Sequence, residues 1–295
     1  MSGKRLDGRV IAEEIRRSLA VEVNYLKVNF GIIPGLAVVL VGDNPASLSY
    51  VDAKTKACKK LGIKSLQLNF DEDISTASLI DEIEHLNKNR DIHGILVQLP
   101  LPDQQEDEVI NRILPSKDVD GLHSMNLGKL MRGEEGFLPC TPYGVLKILS
   151  NSNIEVSGKH AVVVGRSSLV GRPIANLLSQ KMGVGNATVT LCHTGTTDIG
   201  RFTRQADILI VATGQPESIT CDMVKEGAVV IDVGVNRISD SSRERGWRLV
   251  GDVDYNSVRN KVDAITPVPN GVGPMTITML LSNVVRAAKN NVAVC

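Results

Sequence analysis

Short unbroken apolar runs alternate with segments of helical period along almost the whole chain, and this alternation restricts the fold more than any other feature. Residues 36–41, 94–99, 160–164, 208–212 and 229–233 read as buried strands, with others near 65–69 and over 187–192. Strands that are apolar on both faces belong to parallel sheets covered on each side by crossover helices. Ile11, Ile15, Leu19, Val23 and Leu26 recur at helical spacing, as do Tyr50, Lys54, Ala57 and Leu61, and then Leu79, Ile83 and Leu86. A further helix is expected over 106–113. The pattern predicts an α/β chain with two domains and parallel sheets. A less regular stretch at 115–141 separates two alternating runs, which are joined near 139–144. Polar residues 239–247 read as a hairpin or a solvent loop.

At 295 residues the chain can bury one or two full cores. Its 33 basic and 33 acidic residues cancel, so no global field recruits nucleic acid or an anionic membrane. Aromatics are only 3%, too few for a platform that stacks single-stranded bases. Cys58, Cys140, Cys192, Cys221 and Cys295 form an odd set with no close pair, which argues against a disulfide framework and against a cysteine-cluster zinc site. A reducing, cytoplasmic setting fits that usage. His85, His93, His123, His160 and His193 show no ligand spacing, so no metal is expected. The opening Met-Ser-Gly-Lys-Arg-Leu-Asp-Gly-Arg-Val lacks the apolar core of a signal peptide, and no run approaches a membrane span.

The strand at 160–164 runs into Gly165-Arg-Ser-Ser-Leu-Val-Gly171-Arg-Pro173 and then into a helix. Strand, glycine turn and helix N-terminus together suit a dinucleotide phosphate, although Ser167 replaces the usual second glycine and Gly171 comes one residue late. Gly165, Arg166, Ser167, Val170 and Gly171 are therefore candidate cofactor contacts. The next strand ends in Cys192, His193 and Thr194 rather than in the acidic residue that holds the ribose of NAD. Arg166 can pair with a 2′-phosphate, with Thr194 adding a hydroxyl, which favours NADP; Arg166 can equally cap a helix or face solvent. Thr213-Gly214 and Gly234-Val235 follow later strands at their carboxyl ends, the edge at which open parallel sheets bind ligands.

Other candidates lie earlier. Tyr50 and Lys54, four apart, share one helix face, a spacing that arises mostly by chance across proteins. Gln98 ends the run Gly94-Ile-Leu-Val97, where a buried amide can serve a ligand or a lysine. The acidic turn Asp118-Val-Asp120-Gly121 can cap a helix, hold an amidine-like heterocycle or, least favoured, bind a metal. In Ile265-Thr-Pro-Val-Pro-Asn-Gly-Val-Gly-Pro-Met-Thr276, Pro267 and Pro269 stiffen the backbone while Gly271 and Gly273 open it. Pro274 suits the first turn of a helix over 275–288, and the loop offers a flat ligand a rigid wall.

These strings resemble, in order and over nearly the whole chain, the bifunctional methylenetetrahydrofolate dehydrogenase/methenyltetrahydrofolate cyclohydrolase family. The resemblance rests on Val41-Gly-Asp-Asn-Pro-Ala-Ser47 leading to Tyr50 and Lys54, on Gly94 to Pro102, Lys117 to Gly121 and Pro139-Cys-Thr-Pro142. It continues through Gly165-Arg-Ser167, Ile231-Asp-Val-Gly-Val-Asn-Arg237, Gly251-Asp-Val253 and the loop to Thr276. It implies a folate domain over 1–141 with helix 274–295 packing back on it, a Rossmann-like NADP-binding domain over 142–273, and an active-site cleft between them. Val97, Gln98, Leu99, Pro269, Gly271, Gly273, Pro274 and Thr276 would line the substrate. Tyr50 would pack on its aminobenzoyl ring, and Asp120 would hold the pterin edge. Lys54, hydrogen-bonded and tuned by Gln98, would act at the bridge carbon and on the hydrolytic water. A homodimer through the second domain is also implied. Asn270 departs from the family's glycine and can narrow the cleft, bond the folate or point away. The competing expectations are a dehydrogenase without cyclohydrolase activity and a non-enzymatic module on this fold.

Overall fold

The structure, a computed structural model, describes residues 3–181 and 183–292; Cys295 lies outside the described residues. The chain forms two compact units, one of Met1–Glu13 with Thr141–Thr276 and the other of Glu14–Cys140 with Ile277–Cys295. It opens with β1 (Lys4–Arg5) and α1 (Gly8–Phe30), on which Ile11, Leu19, Val23 and Leu26 are buried.

The unit containing Glu14–Cys140 is built on β2 (Gly35–Val41), α2 (Pro45–Leu61), β3 (Lys64–Phe70), α3 (Thr76–Lys88), β4 (Gly94–Val97), α4 (Glu106–Arg112) and α5 (Ser124–Arg132). Its three strands are parallel in the order β3-β2-β4. Every residue of the central strand β2 is buried, as its unbroken apolar run requires. Val39, Val41, Ile95 and Val97 pack there with Leu79 and Ile83 of α3 and Val109 of α4. Ser75 caps α3, its Oγ accepting from Ser78 N.

Two expectations need correction here. The strand expected over 94–99 stops at Val97; Gln98 N still donates to Val39 O at 2.8 Å, but Pro100 and Pro102 have no N–H with which to continue the ladder. The stretch 115–141 also contains α5, which starts where His123 Nδ1 accepts from Met125 N and ends at Gly133 in the left-handed conformation. α6 (Cys140–Asn151) begins within the expected joint at 139–144.

The other unit carries β5 (His160–Val164), α7 (Gly171–Ser179), β6 (Thr188–Cys192), α8 (Ile199–Thr203), β7 (Ile208–Val211) and β8 (Val229–Asp232). Then follow β9 (Asn236–Ser239), β10 (Trp247–Val250), α9 (Tyr255–Val258), β11 (Ala264–Ile265) and α10 (Val272–Val292). Six parallel strands run β1-β11-β8-β7-β5-β6, so the order reverses between β5 and β7. Ligands of open α/β sheets bind at such a switch point. The polar stretch 239–247 is the turn of a hairpin: β9 pairs antiparallel with β10, and Arg237 stacks on Trp247 with its guanidinium 3.9 Å from the ring centre.

The first residues join this sheet instead of the 1–141 domain expected for them. Lys4 pairs with Ala264 and Arg5 with Ile265, and a Cβ on Gly8 would lie 2.0 Å from Gly271 O. The later part of α10 packs on the other unit: Asn283 Nδ2 donates to Val119 O at 2.8 Å, and Arg286 Nη1 to Gly136 O at 2.9 Å.

Candidate active site

Lys54 lies on α2 one turn after Tyr50, and its Nζ donates to Gln98 Oε1 at 2.9 Å. Gln98 sits one residue beyond β4, where its own Nε2 is committed to Leu99 O at 2.8 Å, so its carbonyl is left to face the lysine. The ammonium is half-buried and anchored at a strand end, while the Tyr50 ring beside it is 48% exposed. Val97 is buried in the core with Val39 and Leu79, and Leu99 packs partly against the same cluster. Val97 therefore has only backbone to offer a ligand.

The turn after Lys117 has two carboxylates with different roles. Asp118 is buried, and its oxygens accept from Gly121 N, Leu122 N, His123 N and Asn126 Nδ2 at 2.8–3.2 Å. Four donors saturate it, which makes it the turn former among the alternatives and leaves nothing for a metal. Burial raises its carboxyl above the usual range against the pull of those donors. Asp120 is half-exposed and touches Cys140, whose Sγ also donates to Val119 O at 3.4 Å. Burial, with Asp120 adding to it, holds the Cys140 thiol well above its ordinary value, while the Lys54 charge pulls it down. Lys54, Gln98, Asp120 and Cys140 thus form one polar group. The sequence gives Cys140 no site role, although it lies in Pro139-Cys-Thr-Pro142, one of the strings that carry the resemblance.

At the switch point of the six-stranded sheet, Gly165 adopts φ +122, and a Cβ on it would lie 2.1 Å from Ala212 O. A Cβ on Gly171 would lie 1.9 Å from Gly165 O, so the turn closes on itself only with both glycines. Ser167 is no failed glycine: its Oγ accepts from Val170 N at 3.1 Å and Gly171 N at 3.5 Å, and its carbonyl takes Arg172 N. These amides, expected for a phosphate, are engaged within the loop. Arg166 is exposed, and β6 ends in Cys192, His193 and Thr194, where His193 Nδ1 accepts from Gly195 N.

Two buried aspartates, quoted in the strings 231–237 and 251–253 without a role, shape the later turns. Asp252 Oδ2 accepts from Thr213 N at 2.6 Å and Gly214 N at 2.9 Å, and its Oδ1 from Asn236 Nδ2 at 2.8 Å. Asp232 accepts from Gly234 N, Asp252 N and Val253 N at 3.0–3.1 Å. Burial pushes Asp232 up to about 7, against those amides. Val235, next to this cluster, is exposed.

In the loop after β11, only Asn270 takes positive φ, at +82. Gly271 is needed for close approach, since its Cβ would lie 2.5 Å from Pro267 O, whereas a Cβ on Gly273 would meet nothing within 4 Å. Nothing in the fold itself demands glycine at 273. Asn270 O accepts from Arg9 N, and Asn270 lines a cavity of about 330 Å³ with Arg5, Arg248, Tyr255 and Pro269. Pro274 falls in the first turn of α10, and Thr276 Oγ1 shares a hydrogen bond with Thr141 Oγ1 at 3.0 Å.

Residues 6–120 match the family model for the catalytic domain of tetrahydrofolate dehydrogenase/cyclohydrolase, and residues 139–292 match that of its NAD(P)-binding domain. The chain belongs to the tetrahydrofolate dehydrogenase/cyclohydrolase family. Among relatives of this dehydrogenase/cyclohydrolase, the bifunctional protein FolD of Syntrophus aciditrophicus is 56% identical over 283 residues, covering 96% of each sequence. The bifunctional methylenetetrahydrofolate dehydrogenase/cyclohydrolase of Campylobacter jejuni matches in structure with a TM-score of 0.92 and 49% identity, over 98% of this chain and 100% of that one. The Trypanosoma brucei dehydrogenase-cyclohydrolase, solved with NADP and an inhibitor, gives a TM-score of 0.94 at 37% identity over 99% of each. The motif resemblance and the two-domain α/β fold stand, and the non-enzymatic alternative falls.

Proposed function

We propose that Lys54, Gln98, Tyr50 and Asp120 carry the folate chemistry of this chain, and that the turns after β5, β6, β7 and β8 hold NADP. The chain is a bifunctional enzyme. It oxidises 5,10-methylenetetrahydrofolate to 5,10-methenyltetrahydrofolate with NADP and hydrolyses that product to 10-formyltetrahydrofolate. The residues fit the phosphorylated nucleotide: Gly165 and Gly171 leave bare backbone in a crowded turn, and Arg166 is exposed, while β6 ends without an acidic residue. NADP, when bound, supplies the hydride acceptor.

Loss of hydride from the methylene carbon leaves a cation delocalised over N5 and N10, so the first step calls for positioning more than for a strong base. Tyr50 offers an exposed ring for the aminobenzoyl group, and Asp120 a carboxylate for the amino-pyrimidine edge. Gly271, Gly273 and Pro274, with Pro269 and Thr276, supply backbone for the substrate. In the second step water adds to the bridge carbon and loses one proton, and the bond from that carbon to N5 then breaks as the hydroxyl proton passes to N5 and the formyl group stays on N10; Lys54, held at Gln98, orients the water and takes part in these proton transfers. The bond from Lys54 to Gln98 is the observation that carries this reading, because it fixes the one flexible cation of the group. Lys54→Met is expected to abolish hydrolysis of the methenyl compound while NADP still binds. Undiminished formation of 10-formyltetrahydrofolate by that variant would refute the role.

A cytoplasmic enzyme acting as a homodimer completes the proposal. The four described cysteines are free. β6 ends the six-strand order with Leu191 37% exposed, an edge suited to a second copy. Light scattering of Leu191→Arg tests it, a monomer being expected.

A further inference from the structure

Asp252 and Asp232 lie in the core of the unit that carries the six-stranded sheet, at 0% and 2% exposure, and the donors that meet their carboxylates are neutral amides. A buried carboxylate has lost its water, and charge-assisted hydrogen bonds must offset that loss. These donors are not scattered. They belong to the segments leaving the carboxyl ends of β7 and β8: Thr213 N and Gly214 N after the first, Gly234 N and Asn236 Nδ2 after the second. Asp232 in turn fixes Asp252 by taking its backbone N–H and that of Val253.

Glycine placement follows from the carboxylates. A Cβ on Gly234 would lie 2.1 Å from Asp252 Oδ1, and one on Gly251 1.7 Å from Asp232 Oδ2. Gly214 is different: at φ +68 its Cβ position meets no protein atom within 4 Å, so it faces open space where a ligand can sit.

We propose that Asp252, held by Asp232, is a positioning residue for the dehydrogenase reaction, setting the Thr213–Gly214 and Gly234–Val235 turns in the shape that receives the nicotinamide nucleotide. This rests on the reading that those turns hold NADP. A carboxylate suits the task because both of its oxygens only accept: one takes two adjacent amides and the other the Asn236 amide. Alanine leaves all three donors unmet. Asparagine can take the two backbone amides but turns an N–H₂ toward Asn236, and exchanging the two side chains, Asp252→Asn with Asn236→Asp, restores a donor opposite an acceptor.

The test measures both activities of each variant. Asp252→Ala is expected to raise KM for NADP by about tenfold or more, the scale of lost charged hydrogen bonds. KM for the folate should stay near the parent value, and hydrolysis of the methenyl compound without nucleotide should change less than about twofold. Asp252→Asn, which keeps the side-chain shape, replaces the alanine if that variant does not fold. The exchanged double variant should recover most of the NADP affinity. Equal loss of both activities, or an unchanged KM for NADP, overturns the proposal. Gly214→Ala separates the two layers of argument. If it leaves KM for NADP unchanged, the turn does not hold the nucleotide and both readings fall. If it raises that KM while the Asp252 variants do not, only the positioning role falls.

Discussion

Lys54 Nζ and Gln98 Oε1 meet at 2.9 Å although 44 residues separate them, because α2 and the end of β4 converge there. Gln98 Nε2 donates to Leu99 O and its backbone N–H to Val39 O, which turns the side-chain oxygen toward the lysine as an acceptor. Gln98→Met keeps the volume and removes that acceptor. Cyclohydrolase turnover should fall about 10- to 100-fold more than dehydrogenase turnover, the scale of one hydrogen bond to a charged group. Equal loss in a combined assay of NADPH formation and methenyl absorbance would show that Gln98 serves the fold and not the lysine.

Arg166 is exposed, and β6 ends without an acidic residue, so in the proposed NADP site discrimination between the two nucleotides falls to the guanidinium. The parent should favour NADP over NAD in kcat/KM, and Arg166→Ala should reduce that ratio about 10- to 100-fold. A parent that prefers NAD would contradict the assignment.

Gly171→Ala forces a Cβ to within 1.9 Å of Gly165 O, contact with backbone that cannot swing aside. A loss of about 2–4 kcal/mol in denaturant unfolding is expected, together with weaker NADP binding by fluorescence titration. Gly273→Ala, by contrast, meets nothing in the protein. It should leave stability within about 0.5 kcal/mol of the parent and report on the substrate through KM alone.

His93 is buried, and its Nδ1 accepts from Gly35 N at 3.0 Å, a bond that exists only while that nitrogen carries no proton. Burial first, and Lys117 beside it second, lower the imidazole below 6.5. The unfolded chain then binds the proton that the folded chain refuses, so stability is full above the unfolded value and falls as pH drops from 6.5 toward the folded one. The slope is at most about 1.4 kcal/mol per pH unit. His93→Gln should be less stable at pH 7.5 and lose less than the parent on acidification to pH 5. Parallel melting curves for the two proteins would refute this account.

Legibility followed the range of the interactions. Apolar runs gave β2, β5, β7 and β8 within a residue or two, since burial on both faces leaves a continuous signature. β1 and β11 escaped because two residues carry no period, and α5 because its nine residues are too few to show one, with Met125 and Met131 exposed. In the candidate site, Tyr50, Lys54 and Gln98 could be found from helix spacing and strand ends. Asp252 could not, because its partners lie 16, 38 and 39 residues away and a lone aspartate before a valine gives no local hint of them. Ser167 was legible as a departure but not as a cap, a role that depends on the turn's path.

The pairing of Lys4 with Ala264 also dictates when the protein can be finished. Each unit is assembled from two separated segments, and the sheet edge at β1 waits for a partner 260 residues downstream. During synthesis the first segment leaves the ribosome long before β11 exists, so the opening residues must stay unpaired through most of translation. Neither unit is a contiguous stretch that can be cut out. The first unit can close only after β11 has been made, and the second only after α10 has followed it.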